Sequence, residues 1–421
     1  MGKLEIILSN GKSLRKNLSN KVARDLELGK NLLDIKAIAD AIFLTEDAIH
    51  ARKQIKEVKI SLHNEYSNDL SEHITQLLEF LFNKSIKVSF TAEGVQSQIK
   101  YGSDYIKNGY TCLFSGGLDS FSGILNSKNH FGHVEGAFTN HADLKSTIGF
   151  IRKLERLVLS KHGIRVTIIP SEKNNDYTRV SRGALYVLNS LLLKNSNVIV
   201  SEVGPTMYQP KFTVLDDITF TTHPQVMELS KKIAGEVLNT RVKIIEPYED
   251  LTKAEAAAIS PEKKYLGLTC SCRTVRWCNS KKPNGDSCYG CIIRRLAFLV
   301  AGIKDSGYRR DVLTLGNNDK EQYDNALHLL RFNLDVLKDF DDIPEYTKSI
   351  ISSYNKEDLF RRFSLDTYAG LYLLDKSGKL PDKNFRWFLD NALQVVSKDD
   401  LTERIAHVRS KKFKLDYNHS Y

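Results

Sequence analysis

Between about residue 109 and residue 260, short apolar strands alternate with longer helical segments, and this alternation narrows the fold more than any other feature of the chain. Strands are expected at 111–115, 134–139, 164–169, 197–202 and 241–245, and helices at 118–129, 144–162, 180–195, 223–239 and 251–260. Strands joined through helices need right-handed crossovers, which predicts an α/β fold with a parallel sheet covered on both faces. In such sheets ligands bind beyond the carboxyl ends of the strands.

The flanks read differently. Residues 1–105 predict a small α+β domain, with strands at 3–9, 57–63 and 85–92 and helices at 30–49 and 73–82. In the first helix, apolar residues recur three and four apart at Leu32, Leu33, Ile35, Ile38, Ala39 and Ile42. No catalytic motif is visible there. Residues 306–421 predict a mainly helical region, with apolar periodicity at 325–337, 366–376 and 385–397 and a polar tail at 410–421 expected to fray. The sheet region spans 106–305. Three units suit a chain of 421 residues with 41% hydrophobic and 27% charged residues. No 18-residue apolar run exists, and the start lacks a basic-then-apolar signal layout, so a cytoplasmic chain with no membrane partner is expected. Ile6 stands where a myristoylation signal takes Ser or Thr.

The sharpest motif is Leu-Phe-Ser-Gly-Gly-Leu-Asp-Ser at 113–120, between the first strand and its helix. Gly116 and Gly117 let backbone amides approach an anion closely. The helix start that follows adds unpaired amides and partial positive charge. Ser115 and Ser120 add hydroxyls, and Leu118 closes the turn. Together they predict a pyrophosphate cradle. Asp119 is the loop's one carboxylate, and beside phosphates it makes most sense through magnesium. No G-x-x-x-x-G-K-[ST] occurs, which excludes a P-loop NTPase. Arg182 at a helix start, Lys253 and Glu255 after the last strand, and His141 after the second strand are candidates for the same pocket. A surface charge or a structural histidine is the plain alternative for each.

The second cluster is cysteine. Cys270, Cys272, Cys278, Cys288 and Cys291 are five of the chain's six, and residues 261–310 hold eleven Lys/Arg against three Asp/Glu. In a reducing compartment, clustered cysteines point to metal or catalysis. Cys288-Tyr-Gly-Cys291 has metal-knuckle spacing, and upstream thiols complete a four-cysteine structural zinc set within 270–291, with either Cys270 or Cys278 in the remaining place. Cys112 sits inside an apolar strand and reads as packing.

Ser-Gly-Gly-Leu-Asp-Ser resembles the signature of the PP-loop, or N-type ATP pyrophosphatase, superfamily. That resemblance implies cleavage of ATP between the α and β phosphates with transfer of AMP to a substrate oxygen. Over residues 109–305, the loop together with the cysteine segment resembles the 7-cyano-7-deazaguanine synthases, the QueC family. The resemblance implies Cys272, Cys278, Cys288 and Cys291 as zinc ligands, with Cys270 on that family's Trp position, Asp-Leu-Thr-Lys-Ala-Glu at 250–255 as its Lys-x-Glu segment, and Arg182 as its Arg at a helix start. The family's Phe-Asp-Tyr-Gly-Gln segment is here Phe138-Thr139-Asn140-His141-Ala142, which leaves the acceptor open. The length, the 32–42 segment and Thr221-Thr222-His223-Pro224 are similar to QueC-like proteins of bacterial antiviral defence, of the Qat and CBASS-associated types.

The resemblance implies an AMP-forming ligase that takes ATP, Mg2+ and Zn2+. It activates a 7-carboxy-7-deazaguanine-type carboxylate for an amine, either ammonia or one on a partner protein of a defence operon. Asp119, Ser120 and Lys253 carry the reaction, and Ser115, Gly116, Gly117, Leu118, Asp119, Ser120 and Arg182 hold ATP. Two alternatives stand beside it: a PP-loop enzyme that modifies tRNA, which the basic stretch suits, and a non-catalytic nucleotide-sensing subunit.

Overall fold

The structure, a computed structural model, describes residues 3–17, 26–51, 53–92, 102–140, 145–171, 180–208, 221–271, 289–308, 311–315, 320–380 and 382–420. Its centre is a five-stranded, all-parallel sheet. The strands are β5 (Lys107–Leu113), β6 (Glu135–Asn140), β7 (Val166–Pro170), β8 (Asn195–Ile199) and β9 (Lys243–Ile245), in the order β7-β6-β5-β8-β9. The chain builds outward from β5 to β7 and then returns to lay β8 on β5's other side. The order therefore reverses between β5 and β8, and the crevice at the carboxyl ends of those two strands is where an open sheet of this kind binds ligands.

A second sheet, of four strands, belongs to the N-terminal unit. It comprises β1 (Lys3–Leu8), β2 (Ser13–Asn17), β3 (Ile55–Leu62) and β4 (Lys87–Ala92), in the order β2-β1-β3-β4. β1 pairs antiparallel with β2 and β3, and β3 pairs parallel with β4. The β1–β2 hairpin turns at Gly11, whose φ of 80° suits glycine. The sequence pattern did not yield β2, a five-residue strand with one large apolar side chain, Leu14.

The helices are α1 (Lys30–His50), α2 (Asn68–Phe82), α3 (Leu118–Phe131), α4 (Lys145–Leu157), α5 (Arg182–Ser190), α6 (Gly204–Met207), α7 (Pro224–Leu238), α8 (Lys253–Ala258) and α9 (Tyr289–Ala301). There follow α10 (Val312–Leu315), α11 (Lys320–Lys338), α12 (Glu345–Ser353), α13 (Glu357–Lys376), α14 (Lys383–Ala392) and α15 (Lys398–Ser410). The expected helices at 144–162 and 180–195 end early. The first stops at Leu157 before a 3-10 turn at Leu159–His162, and the second at Ser190 before one at Leu191–Leu193. In both, a positive-φ residue, Gly163 or Lys194, then turns the chain toward the next strand.

The flanking units share the sheet's two faces. On one face, α5 and α7 pack with α1, α2 and the four-stranded sheet in one apolar core that includes Leu185, Leu188, Ile233, Ile35, Ile38 and Leu77. On the other, α3, α8 and α9 pack with the C-terminal helices in a second core containing Phe121, Ala257, Phe298, Phe360 and Leu401. The tail expected to fray is instead docked. Tyr417 stacks on His130 with centroids 4.1 Å apart, His419 Nε2 lies 2.7 Å from Glu249, and Ser420 forms a bridge with Ile245 at the sheet's edge. Phe413, Leu415 and Tyr417 supply the packing that its charge content hides. No helix among the described residues is long and apolar enough to cross a membrane.

Candidate functional site

The loop after β5 is built around Gly116. Its φ is 77°, and a Cβ added there would stand 2.6 Å from the Phe150 ring, so both backbone and space require glycine. Ser115 and Ser120 close the loop from either side. Their Oγ atoms lie 3.1 Å apart, the Ser115 amide donates to Ser120 Oγ (3.2 Å), and the Gly117 amide donates to Ser115 Oγ (3.3 Å). Gly117 precedes α3 with no side-chain cap on the helix start. The first amides of α3 thus face the crevice with no partner inside the helix, as anion-binding helix starts do. Leu118 is fully buried and anchors the turn.

Asp119 lies in the first turn of α3 and is only 6% exposed. Its Oδ2 accepts from Lys253 Nζ in a buried ion pair, whereas its Oδ1 is buried with no hydrogen bond of ordinary geometry. An unsatisfied buried carboxylate oxygen is costly, and it offers a ligand position to a cation arriving with phosphates. Lys253 is the first residue of α8. Thr252 caps that helix in a capping box with Glu255, and Ser122 Oγ of α3 donates to the Ala256 carbonyl (3.1 Å), so the two helix starts are tied side by side.

Glu202 completes the group. It lies three residues past the end of β8 and is half-buried. Burial first, and then the charge of neighbouring Asp119, pushes its carboxyl from 4.5 up to about 8, while Lys253 and Arg182 pull the other way. At neutral pH it is therefore a protonated acid beside Asp119. Arg182 opens α5, and its Nε is buried with no hydrogen bond. The crevice thus holds a glycine cradle, the two acids Asp119 and Glu202, and the basic side chains of Lys253 and Arg182.

The structure brings together Ser115, Gly116, Gly117, Leu118, Asp119, Ser120, Lys253 and Arg182. It turns Glu255 away. That side chain, fully buried, accepts from Arg362 Nη1 (2.6 Å), from Arg404 Nη2 (2.7 Å) and from its own cap amide at Thr252 (2.9 Å). Glu255 lies on the first turn of α8 with Lys253 but faces the C-terminal helices, because positions two apart on a helix point in opposite directions. His141 lies outside the described residues.

Of the cysteine set, Cys272, Cys278 and Cys288 also lie outside the described residues, and those described hold no group of three metal-binding side chains. Cys291 is buried beside Cys270 and Tyr308. Cys270 is disulfide-bonded. A sulfur so bonded is no thiolate ligand, so zinc at Cys270 would require that bond to be reduced. Arg294, three residues after Cys291 and fully buried, locks the flanks of the segment together. It donates to Thr269 Oγ1 (2.6 Å) and the Leu266 carbonyl (2.9 Å) and pairs with Asp305 (3.2 Å). The Cys270 amide donates to the Gly116 carbonyl (3.1 Å), so the cysteine segment begins on the back of the glycine loop.

Glu202 escaped the sequence reading. The available signal was a carboxylate closing an apolar strand at its ligand end, in Val198-Ile199-Val200-Ser201-Glu202. No protein-family model matches the chain, and neither does any curated protein.

Proposed function

We propose that the chain is an AMP-forming, ATP-dependent enzyme that activates a carboxylate for attack by an amine. The carrying observation is the convergence of the Ser115–Ser120 loop, Lys253 and Arg182 on Asp119 and Glu202, at the reversal of strand order. Phosphates fit the loop amides and the start of α3. Magnesium bound at Asp119 Oδ1 would neutralise charge as pyrophosphate departs. Lys253 and Arg182 supply fixed positive charge for the same leaving group. In the reaction, a substrate carboxylate oxygen attacks the α-phosphorus, the bond to the β-phosphate oxygen breaks, and pyrophosphate leaves. The amine nitrogen then attacks the acyl-adenylate carbonyl, AMP departs and the amine loses a proton. Protonated Glu202 can donate to a phosphate oxygen while it stays neutral.

The resemblance to QueC-like proteins supports 7-carboxy-7-deazaguanine or a close analogue as substrate, zinc in the cysteine segment, and a place in antiviral defence. Ammonia or an amine of a partner protein is then the acceptor. The test is AMP and pyrophosphate release from ATP with and without that carboxylate, in the wild type and in Asp119→Asn. Release stimulated by the carboxylate and lowered at least about a hundredfold in the variant is expected. Unchanged release in Asp119→Asn would refute the mechanism.

A further inference from the structure

α1 belongs to the N-terminal unit yet is buried on every side, and it carries four buried charged residues: Asp34, Lys36, Asp40 and Glu46. Such charges persist only where something binds them. Asp34 is used at home, accepting from the His63 amide (2.7 Å) and the Tyr66 hydroxyl (2.8 Å). Lys36 pairs with Asp40 one turn on. The other two acids reach across to the five-stranded sheet. Asp40 accepts from Ser171 Oγ (2.9 Å), just past β7. Glu46, 1% exposed, accepts from the Val180 amide (2.8 Å), the Ser181 amide (3.1 Å) and Ser181 Oγ, and it lies 3.2 Å from His50 Nε2. Val180 and Ser181 immediately precede α5, so a carboxylate from another unit holds the turn that enters the positive end of a nine-residue helix.

The residue that follows this anchor is Arg182. Its buried Nε makes no hydrogen bond, and its charge acts on Glu202 in the crevice. The same turn has no room to shift. A Cβ on Gly183 would stand 1.3 Å from the Thr221 carbonyl oxygen, so the helix start touches the 221–224 segment backbone to backbone. With one side fixed by that contact and the amides fixed by Glu46, the start of α5, and with it Arg182, is held in place beside the crevice.

We propose that Glu46 is a positioning residue of the nucleotide site, acting through Arg182, so that the N-terminal unit is a working part of that site. The inference rests on the ATP reading above. Glu46 touches no reacting atom. Its role is to hold the start of α5 so that Arg182 meets the polyphosphate already oriented, which limits the ordering that binding must supply.

The test is a double-mutant cycle on the full chain, with α,β-methylene-ATP and Mg2+ as the probe: wild type, Glu46→Gln, Arg182→Gln and the pair. Loss of a charge-assisted contact predicts affinity at least about tenfold weaker for Arg182→Gln. Glu46→Gln should weaken binding by about three- to tenfold. The double variant should bind no more weakly than Arg182→Gln alone. Amide hydrogen exchange should rise at residues 180–183 in Glu46→Gln. Wild-type affinity in Glu46→Gln, or losses that multiply in the double variant, overturns the inference and leaves the ATP reading standing. A wild type that does not bind the probe removes the ATP reading, and the inference falls with it. Should Glu46→Gln fail to fold, Ser181→Ala removes one contact from the other side and enters the same cycle.

Discussion

Glu202, three residues past β8, carries its proton where most glutamates have lost theirs. In the unfolded chain it titrates near 4.5, and in the folded protein near 8. Between those values the folded state binds the extra proton. Stability contributed by the neutral acid is complete below about pH 4.5, falls as pH rises toward 8, and changes little above it. Glu202→Gln keeps the shape and removes the titration. Its melting temperature should therefore decline less than the wild type's between pH 5 and 8, with the two curves diverging steadily across that window. His223, whose burial lowers it to about 4, acts in the opposite sense between pH 4 and 6.5 and is present in both proteins, so the difference between the curves isolates Glu202. Parallel curves would mean that the carboxyl is ionised at neutral pH after all.

At the scale of the element, α8 is six residues long and too short to hold itself. Its order comes from the capping box and from Glu255, which both Arg362 and Arg404 bind. Arg404 also holds Asp366 (2.7 Å), which in turn accepts from Thr252 Oγ1. One end of this network is Lys253 in the crevice and the other is α15, so the C-terminal helices set where Lys253 stands. Removing one member of a buried network leaves its partners charged and unpaired. Arg404→Ala, at a site about 6% exposed, should cost about 3 kcal/mol in urea unfolding. Arg362→Ala, whose side chain is 25% exposed, should cost nearer 1 kcal/mol. Equal losses would show that the network does not distinguish its two arginines.

The same element shows what a sequence can and cannot disclose. Lys253 and Glu255 are two positions apart in the motif, and spacing alone assigned both to one pocket. Direction came only from Arg362 and Arg404, more than a hundred residues away. Asp119 was legible because Gly116, Gly117 and the hydroxyls around it are contiguous. The parallel sheet was legible for a similar reason: each β-strand and its helix are neighbours in the chain. Glu46 was not, because a glutamate on an apolar helix looks like a solvated charge until its hydrogen-bond donors at 180 and 181 are known. α1 read as a one-stripe helix for the same cause, since its polar face is buried against partners that periodicity does not include.

For the molecule as a whole, the five-stranded sheet is covered by the N-terminal unit on one face and by the C-terminal helices on the other, and the tail closes one edge. β9 is that edge, three residues long, and unpaired edges invite association between copies. Ser420 bridges to Ile245, Tyr417 packs between His130 and Phe131, and His419 reaches Glu249, which Tyr208 and Lys356 also hold. Deleting residues 411–421 would uncover the edge and leave Glu249 with fewer partners, while keeping every crevice residue. Aromatic contacts contribute about 1 kcal/mol each beyond their burial, so a loss of about 2–3 kcal/mol is expected in denaturant unfolding. Light scattering should register self-association at concentrations where the full chain stays monodisperse. Affinity for α,β-methylene-ATP should change little at low temperature, because the tail touches the sheet's edge and not the glycine loop. A truncated protein as stable and monodisperse as the parent would mean that the docked tail contributes nothing to the fold, and the protection of β9 would then have to come from its own brevity.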